Sequence, residues 1–148
     1  MERINRDRVL RLWSLIVFRK GRSNYKKDLP TLTMFPGLHT TKNTVGEYLY
    51  KENEIQIWWK PHSDFKDLAS TILHEYTHYL QFWPWYSRYQ KIYSYENNPY
   101  EIEANLSESV VPDFIREISD DNWALTLKKN SKLRKIYEAS GSTVQFNV

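Results

Sequence analysis

Apolar side chains recur at steps of three and four between Phe65 and Phe82, where Phe65, Leu68, Ala69, Ile72, Leu73, Tyr76 and Leu80 form one stripe. That spacing predicts a helix with a single buried face. Its start is marked by Pro61-His62-Ser63-Asp64, in which Ser63 or Asp64 can cap free backbone donors and Asp64 and Asp67 oppose the helix dipole. Pro84 is expected to stop it.

A second stripe, Val9, Leu12, Trp13, Ile16 and Val17, predicts an amphipathic helix in the basic N-terminal segment 1–27, packed on the back of the domain. Between the two helices the pattern changes to strands. Thr31-Leu32-Thr33-Met34-Phe35 reads as one, and Glu47-Tyr48-Leu49-Tyr50 and Ile55-Gln56-Ile57-Trp58-Trp59 flank Lys51-Glu52-Asn53-Glu54 as a hairpin.

Asn98 as an N-cap and Pro99 as the first helical residue open a further helix, expected to run to about Val110 before Pro112 breaks or kinks it. Phe114, Ile115 and Ile118 suggest another amphipathic turn or two. Leu133, Ile136 and Tyr137 predict a last helix over 131–139, ended by Gly141. Residues 141–148 then form an extended tail that could add a strand, lie disordered or plug a cleft. The expectation is one α+β domain over 1–148 with a short antiparallel or mixed sheet.

Composition narrows this picture. A chain of 148 residues can bury one core, and no linker or repeat interrupts it. Without cysteine there is neither disulfide nor thiolate chemistry. Aromatic residues make up 16%, and Trp58, Trp59, Trp83 and Trp85 bracket the long helix, as core and as walls of a groove.

The net charge of +3 conceals an uneven distribution, because residues 1–27 and 128–135 are basic whereas 96–121 are acidic. Basic ends could touch nucleic acid, but no nucleic-acid-binding motif accompanies them, so attraction within the molecule and a solvated helix face are the favoured reading. Leu12 to Phe18 is too short an apolar run to span a bilayer, and Arg19 and Lys20 follow it without a cleavage site. A cytoplasmic or intracellular protein without a membrane partner is expected.

The chemistry lies in His74-Glu75-Tyr76-Thr77-His78, an HExxH motif within the longest stripe. Residues four apart on a helix sit about 40° apart around the axis and roughly 6 Å apart along it, so both imidazoles can reach one ion. Glu75 lies about 100° round from His74, placed to take a proton from water at the metal's open position. A catalytic zinc uses three protein ligands. No His follows His78, so the downstream candidates are Glu96, Glu101, Glu103, Glu108 and Asp113.

Glu101 falls in the first turn of the helix opened by Asn98, where the dipole favours an ionised carboxylate. Asn105 follows at i+4, placed to support a ligating histidine from behind. Glu103 sits about 200° round from Glu101 and is the alternative third ligand.

The pair of motifs His74-Glu75-Tyr76-Thr77-His78 and Glu101-Ile102-Glu103-Ala104-Asn105 resembles the gluzincin metallopeptidases, above all the small single-domain versions such as the minigluzincins and the domain of ImmA/IrrE-type regulators. The resemblance covers roughly residues 47–105. It implies a zincin fold, one Zn2+ held by His74, His78 and Glu101, Glu75 as the base, and a peptide or protein substrate held by β-addition at a sheet edge. Tyr93, Tyr95 and Tyr100 are candidates to donate to the oxyanion. Asn105 departs from the Asp that many relatives carry, which weakens support of the histidine. SprT-like proteases take a downstream histidine as third ligand, which this chain lacks. Outside peptidase chemistry, a zinc-stabilised regulatory module without turnover fits the same residues.

Overall fold

A computed structural model describes residues 3–39 and 41–147. Helix α1, Arg6–Lys20, begins at Asn5, whose side chain accepts from the Arg8 N–H, and ends at Gly21 with φ of 77°. Positive φ is costly for any residue with a Cβ, so glycine suits that stop. Three strands follow, β1 at Thr31–Phe35, β2 at Gly46–Leu49 and β3 at Glu54–Trp58. Asn53, at φ 49°, closes the β2–β3 turn, with its side chain bonded to Tyr48 and to the Asp28 carbonyl.

Helix α2, Phe65–Leu80, is capped by Asp64, which accepts from the Asp67 N–H. Then come α3 at Trp83–Ile92, α4 at Pro99–Ser107, α5 at Val111–Glu117, α6 at Trp123–Lys129 and α7 at Ser131–Ala139. The short strand β4, Val144–Phe146, closes the described chain.

The sheet is mixed, in the order β2-β3-β1-β4. β1 runs parallel to both β3 and β4, and β2 pairs antiparallel with β3. Strand alternation puts Leu32, Met34, Ile55 and Ile57 on one face, where they are fully buried. The core continues through Val9, Leu12 and Ile16 of α1 and Leu68, Ile72 and Tyr76 of α2. Trp13 and Tyr76 meet edge to face at 5.5 Å. On the other face polar groups bond one another, Thr33 to Glu54 at 2.6 Å and Gln56 to Glu54 at 2.9 Å.

Several expectations change. Neither Pro84 nor Pro112 ends a helix. Each sits in the first turn of the next one, where its missing N–H has no helical acceptor to lose. The helix opened by Asn98 stops at Ser107, and a 3₁₀ turn over Glu108–Val110 leads into α5. The N-terminal helix occupies only Arg6–Lys20 of the basic segment.

The tail does not plug a cleft. Val144–Phe146 lies against β1, at the opposite edge of the sheet from β2. Val148 lies outside the described residues. The acidic stretch attracts basic residues within the molecule, since Arg11 pairs with Asp120 at 2.8 Å and Arg19 with Glu117 at 2.5 Å. Among the described residues no helix is long and apolar enough to cross a membrane.

Candidate metal centre

Eleven residues of α2 are buried, and the stripe that buries them holds the helix in one rotation. In that rotation His74, Glu75 and His78 open into a cleft of about 250 Å³ beside the edge strand β2. Gly46 permits this approach. A Cβ there would lie 2.6 Å from Thr71 Cγ2 and 3.3 Å from the Glu75 side chain, so any larger residue forces Thr71 or β2 to shift.

Asn98 caps α4 by accepting from the Tyr100 N–H at 2.9 Å, which puts Glu101 in the first turn and only 2% exposed. Its Oε1 lies 3.1 Å from His74 Nε2 and 3.0 Å from His78 Nε2, and the two nitrogens are 3.2 Å apart. Among the described residues these three form the one group that could hold a metal.

Ligand atoms on a tetrahedral zinc with bonds of about 2.0–2.1 Å stand about 3.3 Å apart, so the spacing suits that ion. The outer nitrogens agree with this. His74 Nδ1 faces Glu108 Oε2 at 3.0 Å and His78 Nδ1 faces Gln81 Oε1 at 2.7 Å, both acceptors. Each ring therefore carries its proton on Nδ1, which leaves two Nε2 lone pairs and a carboxylate oxygen converging. Such a convergence is repulsive without a shared cation.

Protons meet that demand in the metal-free protein. Burial alone would lower the His74 imidazolium, but hydrogen bonds to Glu101 and Glu108 outweigh it and raise His74 to about 10. His78 moves up as well, with burial again opposed chiefly by its bond to Glu101. Burial pushes Glu101 upward, yet the two histidines hold it well below the usual carboxylate range. Glu75 is raised by burial, against the pull of His78 and His74. It is 8% exposed, and the described hydrogen bonds include none to its carboxylate.

Asn105 does not support a histidine. It is exposed, because α4 turns that face outward, and Glu108 in the following 3₁₀ turn holds His74 instead. Glu103 is also exposed and does not join the ligand group; its Oε1 accepts from Gln81 Nε2 at 2.8 Å. His62, before α2, is 2% exposed and bonded through Nε2 to Thr71 Oγ1 at 2.8 Å.

Two participants escape sequence reasoning. Gln81 stands one residue beyond the helix, where periodicity carries no information. Tyr86 donates its phenolic hydrogen to Glu101 Oε2 and packs edge-on against His78 at 5.2 Å. Trp83 holds Tyr86 in place, stacked on it at 4.9 Å and on Tyr50 at 5.1 Å. Of the tyrosines proposed for an oxyanion, Tyr95 lines the cleft, and burial with the charge of Glu101 pushes it up to about 12. Tyr93 and Tyr100 lie outside the cleft lining, with their rings against Tyr89. Comparison with protein-family models, curated proteins and solved structures returns no match to this chain.

Proposed function

We propose that the protein is a zinc-dependent endopeptidase of gluzincin type, with His74, His78 and Glu101 as metal ligands and Glu75 as general base. The observation that carries this reading is the convergence of three ligand atoms at 3.0–3.2 Å in a cleft that the unbonded Glu75 carboxylate also lines. Zinc in such a site supplies Lewis acidity, polarising a substrate carbonyl and making water acidic enough to lose a proton near neutral pH.

The chain's own groups do the rest. Glu75, raised by burial, takes the proton from water and returns it to the leaving amine. Glu108 and Gln81 hold the imidazoles in the Nδ1–H form. Tyr86 occupies Glu101 Oε2, which leaves Oε1 to the site. Tyr95, at the cleft wall, donates to the developing oxyanion. β2 is an edge strand beside Glu75, so an extended peptide can add to it through backbone hydrogen bonds.

The test has two parts. Elemental analysis should find one zinc per chain in the wild type and none in His78→Ala. A peptide-library digest should show cleavage by the wild type that Glu75→Gln abolishes. If both proteins bind zinc and neither cleaves, the fold is a zinc-stabilised module instead.

A further inference from the structure

Gln81 terminates α2 in extended backbone, φ −84° and ψ 156°, and is 7% exposed. A buried amide at a helix end could simply satisfy itself locally, but this one does not. Its Oε1 accepts from His78 Nδ1 at 2.7 Å. Its Nε2 donates to the Tyr100 carbonyl at 2.9 Å and to Glu103 Oε1 at 2.8 Å. Both amide hydrogens are thus spent on α4, and the carbonyl on α2.

The Tyr100 carbonyl belongs to the residue before Glu101. One side chain therefore touches a ligand on α2 and the backbone that presents the ligand on α4. The two helices have no covalent path between them shorter than the aromatic segment 81–98. Between its buried ends that segment is held by ring contacts and the Tyr86–Glu101 hydrogen bond, with no residue of α3 buried.

We infer that Gln81 is a positioning residue that fixes Glu101 relative to the histidine pair, so that the three ligand atoms are assembled before metal arrives. The inference rests on the zinc reading of the site. Glu103, which the sequence offers as an alternative ligand, acts instead as the anchor of this bridge. The amide is required because the bridge needs an acceptor at one end and two donors at the other. A carboxylate at position 81 would serve His78 but lose the donors to Tyr100, and it would face Glu103 with like charge.

The experiment measures zinc affinity by chelator competition, alongside thermal melting of the metal-free protein, for wild type, Gln81→Met and Gln81→Glu. Partners behind metal ligands typically contribute about 10- to 100-fold in metal affinity. A loss of that size is expected in both variants, per folded molecule. Gln81→Glu is the decisive arm because it keeps an acceptor for His78 while it loses both donors to α4 and faces Glu103 with like charge. Wild-type zinc affinity in Gln81→Glu overturns the bridge, even if Gln81→Met does not fold. A lowered melting temperature with unchanged zinc affinity of the folded protein also overturns it, leaving Gln81 a structural cap. Absence of zinc from the wild type overturns the metal reading itself, a result distinct from equal binding by wild type and variants.

Discussion

Helices α2 and α3 are consecutive and both reach the cleft, yet eleven residues of the first are buried and none of the second. α2 is held by a continuous stripe from Phe65 to Tyr79 that packs on the sheet and on α1. α3 is held by rings, Trp83 on Tyr50 and Tyr89 on Tyr100. The proposed ligands His74 and His78 and the proposed base Glu75 lie on the helix that cannot shift without opening the core. The supporting hydroxyl of Tyr86 lies on the helix that can. Chemistry that needs fixed geometry is thus separated from a wall able to adapt to different occupants.

The largest effect expected on the fixed side is that of Glu75→Gln. On the proposed function, loss of the general base lowers peptide hydrolysis by about 10²- to 10⁴-fold, and zinc content should stay unchanged because Glu75 is not among the proposed ligands. Steady-state cleavage with elemental analysis checks both halves. Next comes Ile72→Ala, which removes a fully buried side chain of α2. Denaturant unfolding should show a loss of about 2–5 kcal/mol. A loss below about 1 kcal/mol would mean that the α2 stripe is not what fixes the motif.

This same contrast explains what could be read from the chain. α1, β1, the β2–β3 hairpin and α2 announce themselves because each buries one periodic face, and α7 because buried Leu133 and half-buried Ile136 and Tyr137 pack on the core at helical spacing. α3 buries no residue, and the seven-residue α6 buries only Trp123 and is too short to repeat a stripe. The prolines mislead for a related reason. Residue type shows that a helix cannot continue through Pro84 or Pro112, not that the next helix starts there.

In the site, Asn98 and Pro99 mark the helix start that brings Glu101 to the histidines. The supports behind the histidines cannot be read this way. Glu108 reaches His74 from a 3₁₀ turn, and Gln81 reaches His78 from the first residue outside a helix, where no spacing rule applies. Asn105 has the spacing on an ideal helix, but α4 turns it outward.

Tyr86→Phe tests the join between the two regions. It removes the donor to Glu101 Oε2 and leaves the ring to stack on Trp83. Zinc affinity should fall by about 10- to 100-fold, as for other partners of metal ligands, with little change in melting temperature. The same join also responds to pH. Metal must displace the proton that Glu101 and Glu108 keep on His74, whose value is about 10 in the metal-free protein. Zinc affinity should therefore rise with pH at all values below about 10, by up to about tenfold per unit for each proton released. His74 keeps that proton until the pH passes about 10, where the rise levels off. Chelator competition at a series of pH values measures the slope, and a plateau already reached at pH 7 would contradict it.

The smallest effect is expected from Trp85→Ala, on the outward face of α3. Trp85 is 43% exposed, with its ring 5.6 Å from Tyr89 and Arg88 at 4.7 Å over its face. Exposed contacts of this kind stay within about 0.5 kcal/mol of neutral, far below the cost of truncating Ile72 in α2. Denaturant unfolding measures it, and zinc affinity should not move, because Trp83 and Tyr86 retain their stack. A loss above about 2 kcal/mol would instead make α3 part of the cooperative core. The cleft would then have two rigid walls, and the division between a fixed catalytic helix and an adaptable one would fail.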